Sequence, residues 1–496
     1  MNKSIKKNYV LNLIYELFAL LFPVFVMPYI SRVLKAEGVG IYSYTYSIVY
    51  YFIILGALGF TTYARRELAK QRDNFECQKK IFWEITILKI VSSIISIFLY
   101  EIIIFCFFRA TKYFIFLQAN VIYLIGTAFD IIYYFQGNED FDKIVIKNIF
   151  IKLIGFATIF VFIHNSDDIY KYIIIQALIF LLSNISLWLV LPKKIFDINF
   201  KILKFKEHLI PTLKLFIPTV ASSIYTILDK TILGSIINAN ISNNSLIFTA
   251  DAEVGTYEQV EKLIRMLITV LTSLSVIVSS RTSFYHEKKD IKSIKKLIYM
   301  SFSYVLMLSI PMFFGIMEIS NIFCPLFFGT GFEKAPILMN ILAILVILIG
   351  LSSIFGMQYL TSIGEDNKYI ISVIIGAIIN VIANLFLIPK YYSYGAAIAT
   401  VIAEFIILIL LMYFSKNVLS FKQFFKKFLT YLVGAIIMYL FSFFINYTSP
   451  IKTLVFKVFS SILIYLIYLI LIKDEILLNI YKSLIRFKNN IKEKIK

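Results

Sequence analysis

Hydrophobicity along this chain comes in long blocks divided by short polar segments. Runs of about 20 apolar residues, the length that crosses a hydrocarbon core of about 30 Å as a helix, fall near 8–31, 39–62, 82–108, 113–135, 145–165 and 170–191. Six more follow at 211–237, 257–280, 297–320, 335–361, 368–389 and 394–414, then two at 427–447 and 451–472. The pattern predicts an all-α polytopic membrane protein with about 14 transmembrane helices. The longest outer loop, near 238–256, has only about 19 residues, so no sizeable soluble domain is expected. The first run follows the basic stretch MNKSIKKN. It is too long for a signal-peptide core and lacks a small-residue cleavage site, so it is expected to stay as the first span.

The polar positions orient these spans. With the N-terminus on the cytoplasmic side, inside segments hold 35 Lys and Arg residues, outside loops hold 8, and 6 fall within spans. The bias holds loop by loop, as the positive-inside rule requires, and an odd number of spans would break it. Both termini are therefore expected in the cytoplasm. The two halves also echo each other. Phe22-Pro23 and Ile217-Pro218 mark a proline in the first span of each half. Arg65, Arg66 and Arg281 end the second spans, and GNED (Gly137 to Asp140) and GED (Gly364 to Asp366) follow the fourth. These matches predict a parallel repeat about an axis along the membrane normal. The expected organisation is an N-terminal lobe of helices 1–6 (1–208), a C-terminal lobe of helices 7–12 (209–418), and helices 13 and 14 with a basic cytoplasmic tail (419–496). The two six-helix lobes are expected to surround a central cavity.

Composition narrows the function classes. The chain has 496 residues, 59% hydrophobic and 16% charged, with mean hydropathy +0.82. The net charge of +19 is accounted for by the cytoplasmic loops and their attraction to anionic lipid, so no nucleic-acid partner is inferred. Cys77, Cys106 and Cys324 are scattered without a CxxC pair, and His164, His208 and His286 fall in separate loops. Neither a disulfide framework nor a metal site is read from them. There is no GxxxxGK[ST], HExxH or GxSxG. Hence no catalytic residue, ATPase motif or cofactor is expected, and a secondary-type transporter is favoured over an enzyme.

Charges inside the spans carry the chemistry. Asp229 and Lys230 lie in the seventh run, and Glu258, Glu261, Lys262 and Arg265 follow at i, i+3, i+4 and i+7 on one face of the eighth. Asp229, Lys230 and Arg265 sit roughly 12 Å in from a helix end. Ionisable groups at that depth face a bundle interior or a watery cavity. Lys230, Lys262 and Arg265 suit an anion, because Arg and Lys bind phosphate oxygens through charge-assisted hydrogen bonds. Asp229, Glu258 and Glu261 would balance them when the site is empty or exchange protons or sodium, so a proton or sodium gradient is the candidate coupling. Glu16, Asp130 and Glu404 are further intramembrane carboxylates, with Glu404 placed for pairing beside Ala399, Thr400 and Ala403. Lys89 is an intramembrane cation of the third span. Glu101, Lys152 and Lys457 are expected at the outer surface or snorkelling, Asn380 and Asn384 as interhelical hydrogen-bond partners, and Asp251 and Glu253 as solvated loop charges.

Segments across nearly the whole chain resemble one family. They include PYISRVL (Pro28 to Leu34), EGVGIYSY, LGFTTYARRELA (Leu58 to Ala69), FWEI (Phe82 to Ile85) and FQGNEDFDKIVIKN (Phe135 to Asn148). IYTILDKTILG, YEQVEKL, PLFFGTGFEKAPILM, GMQYL and GAAIATVIAE (Gly395 to Glu404) continue the series. In this order they resemble the bacterial oligosaccharide flippases of the polysaccharide transporter type, within the multidrug/oligosaccharidyl-lipid/polysaccharide exporter superfamily. Lys35 departs from that pattern, standing where a glycine is usual, and Ser280 stands where a proline is common. The resemblance implies two six-helix lobes around a hydrophilic, often cationic cavity, with two peripheral helices. It implies transport of an undecaprenyl-diphosphate-linked oligosaccharide from the inner to the outer leaflet for capsule, O-antigen or exopolysaccharide assembly, beside a polysaccharide polymerase complex. Arg65 and Arg66 would then attract the diphosphate-sugar head at the inner mouth, and Lys230, Lys262 and Arg265 would hold it deeper. The alternatives are a peptidoglycan-precursor flippase, a small-molecule or cation exporter of the same superfamily, and a membrane polysaccharide polymerase.

Overall fold

Helices follow the apolar blocks because, in hydrocarbon, every backbone N–H and C=O has to find its partner within the chain. The structure, a computed structural model, describes residues 2–199, 203–240, 249–416, 418 and 421–478. Within these it describes all side chains except those of 2–21, 141, 146, 214, 215, 217–219, 221–226, 239, 240, 276 and 421–424. Every regular element among the described residues is helical. The first are α1 (Asn2–Ala57), α2 (Phe60–Lys70), α3 (Phe75–Phe108), α4 (Phe114–Ala128), α5 (Ile132–Gly137), α6 (Phe141–Phe162) and α7 (Ile169–Trp188). Then come α8 (Lys206–Asn240), α9 (Ala250–Thr272), α10 (Ser275–Glu287), α11 (Ile291–Phe328), α12 (Ala335–Ala343) and α13 (Leu345–Ser353). The last are α14 (Asp366–Phe414), α15 (Phe421–Phe443) and α16 (Pro450–Leu471). Residue contacts divide the chain into two compact units, Met1–Glu258 and Gln259–Lys496.

Ten of the described helices are long and apolar enough to cross a membrane, or eleven if α9 and α10, bent by 41° at their break, form one span. Two of the ten, Phe22–Lys70 and Asp366–Phe414, have 49 residues each. That is about 73 Å of helix, more than twice a hydrocarbon core. Each is interrupted by a residue outside the helical region, Lys35 (φ 58°, ψ −177°) in the first and Tyr392 (φ 53°, ψ −127°) in the second. These interruptions fall between the first and second and between the eleventh and twelfth apolar runs. The chain is a multi-pass membrane protein.

Large apolar side chains cover its outer surface, while polar side chains within the helices are buried among the apolar core. On α16 the buried face is Thr453, Lys457, Ser461, Tyr465 and Leu469, while Val455, Phe459, Ile462, Leu466 and Ile470 are exposed. Helix α3 buries Glu84, Thr86, Lys89, Ser92, Ser93 and Ser96 and exposes Phe98, Phe105 and Phe107. Small hydroxyls bind helix to helix there. Ser92 Oγ donates to Gly56 O at 2.5 Å and Ser96 Oγ to Phe52 O at 2.6 Å. Both tryptophans lie by one apolar cluster that includes Phe60, Leu68, Phe82 and Tyr133. Their ring nitrogens donate to Ile195 O (2.7 Å, from Trp83) and Phe129 O (2.8 Å, from Trp188). Between α6 and α7, the Asp168 carboxylate accepts from the His164 and Asn165 amides at 2.9 and 3.0 Å and pairs with Lys171 at 2.7 Å.

Three glycines set the close approach of α1, α8 and α9 in the first unit. A Cβ on Gly40 would lie 1.7 Å from Asp251 O, and one on Gly255 would lie 2.0 Å from Ala36 O. One on Gly234 would lie 2.3 Å from the Tyr44 ring. The part of α1 after Lys35 therefore packs backbone to backbone against the start of α9 and ring to backbone against α8. A side chain at Gly255 has to push the backbones apart. Gly255→Val should cost about 3 kcal/mol or more and lower both the yield and the Tm of detergent-purified protein; an unchanged Tm would place these helices farther apart. Lys35 holds a backbone conformation close to glycine-only territory. Lys35→Gly should relieve strain for a net gain of about 1 kcal/mol, raising Tm by a few degrees, and a fall in Tm would contradict strain at this turn.

Candidate functional site

The glycine contacts bring the polar residues of α1, α8 and α9 into register. Glu258 pairs closely with Lys230, their side chains only 18% and 15% exposed, and Ser43 Oγ donates to Glu258 Oε2 at 3.2 Å. One residue away on each helix, Tyr257 donates from its buried hydroxyl to Asp229 Oδ2 at 2.9 Å. Thr231 donates to Ser47 Oγ at 2.9 Å, and the Tyr51 hydroxyl lies 3.1 Å from Thr231 Oγ1. A buried carboxylate or ammonium is tolerable only with such partners. Thus Asp229, Lys230 and Glu258 share one polar seam in the first unit. Asp251 and Glu253, expected as solvated loop charges, are instead buried. The helix begins at Ala250, earlier than the hydropathy suggests. Its first turn favours carboxylates, and Asp251 is met by Lys112 and by the Tyr113 hydroxyl at 2.7 Å.

Farther along α9, Arg265 Nε donates to Glu261 Oε1 at 2.6 Å across one helical turn. Glu261 is buried, Arg265 is one-third exposed and Lys262 is exposed. The face carrying Glu258, Glu261, Lys262 and Arg265 is thus one continuous helix. Arg65 and Arg66 are exposed on α2. Their neighbour Arg72 ties α2 to the GNED turn, donating to Gly137 O at 2.9 Å and pairing with Glu139 at 3.1 Å. The side chain of Glu16 lies outside the described residues.

Asp130 sits at the break between α4 and α5. Lys89 Nζ, 1% exposed, donates to Asp130 Oδ2 and to Asp130 O, both at 2.7 Å, and to Thr61 Oγ1 at 3.3 Å. Asp130 Oδ1 caps the new helix by accepting from Ile132 N at 3.0 Å. In the second unit the chain after α13 passes through a π-helical segment, Ile354–Leu360. There Gln358 donates to Ser275 Oγ at 2.9 Å and accepts from Ser301 Oγ at 2.5 Å. The first set joins α2, α3 and the α4–α5 break, and the second joins α10, α11 and the π-helical segment. One set is charged and the other neutral.

Elsewhere in the second unit Glu404 is buried on α14 beside Ala403 and Thr400, and Asn384 donates to Asn380 Oδ1 at 3.0 Å. Lys457, expected at the outer surface, is buried against Glu318 at 3.4 Å, and Ser461 donates to the same carboxylate at 3.3 Å. Glu318 and Ser461 line a groove of about 530 Å³ whose other walls are mostly apolar side chains such as Met307, Pro311, Met438 and Leu466. Sequence reasoning missed Glu318, Ser43 and Tyr257. Glu318 stands alone in an apolar run, which is itself the signal of a buried partner, whereas the other two carry no local signal.

Comparison with known proteins follows the geometry. The chain is 23% identical over 425 residues to a protein of Escherichia coli (strain K12) named "Putative O-antigen transporter", covering 84% of this chain and 97% of that one. Among solved structures, the lipid II flippase MurJ in an inward closed conformation superposes with a TM-score of 0.70 at 18% identity, covering 93% of this chain and 99% of that one. An inward-facing multidrug resistance MATE family transporter gives 0.61 at 14%, covering 80% and 97%. These likenesses establish a shared fold. Residues 5–280 match the family described as polysaccharide biosynthesis protein, and this chain belongs to that family.

Proposed function

We propose that the protein moves an undecaprenyl-diphosphate-linked oligosaccharide from the cytoplasmic to the outer leaflet, for assembly of capsule, O-antigen or exopolysaccharide. The observation that carries this reading is the polar seam of Asp229, Lys230 and Glu258, continued along α9 by Glu261, Lys262 and Arg265. Such a row of ionisable groups within apolar helices suits passage of a charged, hydrated head. The named relative is described as an O-antigen transporter, and family membership points to the same class of cargo.

In this reading fourteen spans form two six-helix lobes and a terminal pair, with both termini in the cytoplasm of the inner membrane. The lobes open alternately to the two sides. Arg65 and Arg66 meet the head first, Lys262 binds it deeper, and Lys230 and Arg265 exchange their carboxylate partners for diphosphate oxygens, since both are acceptors of charge-assisted hydrogen bonds. The isoprenoid tail remains in an apolar setting, for which the groove beside α11, α15 and α16 is suited. Outward movement of each net negative charge gains about 2.3 kcal/mol per 100 mV of potential, negative inside. Glu16, Asp130, Asp229, Glu258, Glu261 and Glu404 balance charge, and a proton or sodium gradient drives the return. The product passes to a polysaccharide polymerase complex.

A strain lacking the protein should accumulate lipid-linked repeat units facing the cytoplasm and lose its surface polymer; polymer at the normal level would refute this function. Lys262→Ala, at an exposed position, should leave Tm within about 1 °C and reduce export at equal protein level, whereas normal export would remove Lys262 from the pathway. Glu258→Gln should destabilise the fold by about 3 kcal/mol, because it takes the carboxylate from a mostly buried ammonium. Adding Lys230→Met should recover about 2 kcal/mol of that in a double-mutant cycle. Additive losses would show that the two side chains do not act as a pair.

A further inference from the structure

The part of α1 that follows Lys35 carries Tyr42, Tyr46 and Tyr50 at i, i+4 and i+8, so the three rings rise along one face. Ring centroids are 5.7 Å apart between Tyr42 and Tyr46, inclined by 24°, and 5.8 Å apart between Tyr46 and Tyr50. All three are half-buried. One flank of this ladder is closed by Tyr123 of α4 and Tyr172 of α7. Tyr46 lies 5.1 Å from Tyr123 edge to face, Tyr42 lies 5.1 Å from Tyr172, and the Tyr42 and Tyr123 hydroxyls are 3.3 Å apart. The other flank is the polar seam. Glu258 and Lys230 lie within electrostatic reach of Tyr46, and Glu258 also of Tyr172. Neighbouring positions on the same helix, Ser43 and Ser47, are buried against that seam. The ladder is therefore the part of the helix left between two packed flanks, all of it within the first unit.

Packing alone does not account for this composition. Leucine would fill the same face at lower cost than phenols, whose hydroxyls need partners once out of water. Neither Tyr46 nor Tyr50 has a hydrogen-bonded hydroxyl partner among the described residues. A row of aromatic faces with phenol hydroxyls, beside a carboxylate and an ammonium, matches the chemistry of a pyranose. The ring's C–H face lies against the electron-rich aromatic face, and its hydroxyls exchange hydrogen bonds with the polar groups at the edge. The charges argue against a cationic ligand, because Lys230 offsets Glu258 directly at the ladder.

We propose that Tyr42, Tyr46 and Tyr50 form a stacking platform for the saccharide rings of the cargo, with Glu258, released as Lys230 takes the diphosphate, accepting from the sugar hydroxyls. This rests on the reading of the protein as a carrier of saccharide-bearing lipid. It adds that the sugars, and not the diphosphate alone, are bound by the first unit. Stacking is tolerant of hydroxyl stereochemistry, so such a platform accepts several hexoses while distinguishing a glycosylated lipid from a bare one.

The test compares two probes on the full chain in nanodiscs by native mass spectrometry. They are undecaprenyl diphosphate alone and the same lipid bearing one N-acetylglucosamine or one galactose. Wild-type protein should bind a glycosylated probe about tenfold more tightly than the bare lipid, the gain of one or two aromatic contacts. Tyr46→Leu and Tyr50→Leu should each bring that ratio to within about twofold of unity, while Tyr46→Phe retains most of it, which separates lost stacking from a damaged fold. Equal wild-type affinity for glycosylated and bare lipid overturns the platform and leaves the flippase reading standing. So does an unchanged ratio in both leucine variants. Absence of wild-type binding to any of the lipids overturns the flippase reading and the platform with it. Tetraphenylphosphonium binding that Tyr46→Leu abolishes, with the lipid ratio intact, overturns the platform in favour of a cation site.

Discussion

Backbone contact between the second part of α1 and the start of α9 is the constraint on which the first unit's polar arrangement depends. Gly40 and Gly255 leave no room for a methyl group at either position. Helices in lipid gain little by hiding apolar side chains from one another, so close approach of small residues and interhelical hydrogen bonds hold them together. Here both operate at once. Because the backbones touch at Gly40 and Gly255, Ser43 and Ser47 one and two turns farther along reach Glu258 and Thr231. Removing the approach would open each of these distances together.

A second regularity is that three cations within apolar helices have carboxylate partners near at hand in space and far away in sequence. Lys89 meets Asp130, Lys230 meets Glu258, and Lys457 meets Glu318. None of these pairs adds much to stability after desolvation is counted, yet losing one member leaves the other in a medium that does not tolerate it. The pairs therefore fix which helix faces which, and a charged cargo has to compete with the existing partner to bind at one of them.

The apolar helices were largely legible in the sequence, since hydropathy is a local quantity, whereas the breaks at Asp130 and Gln358 carried no signal that was read. The glycine usual after SRVL was also informative: Lys35 has the positive φ that a glycine would hold without strain. The two acidic turns likewise contain a residue with positive φ, Glu139 in one and Gly364 in the other. Pairings were not legible. Nothing near Lys457 in the chain indicates Glu318, and nothing near Asp251 indicates Lys112, so both charges were placed toward water. The tyrosines of YSYTYSIVYY did have a visible period of four, but an aromatic run in an apolar helix reads as lipid-facing until its neighbours are known.

The break at Asp130 in the first unit and the π-helical segment at Gln358 in the second are unlike in bonding. The first is fastened by an ammonium on a carboxylate, the second by a carboxamide between two hydroxyls. Charge-assisted bonds are about twice as strong as neutral ones and gain further where water is excluded. Bending at Asp130 therefore meets more resistance than bending at Gln358. The two units thus differ in how firmly their helix breaks are held.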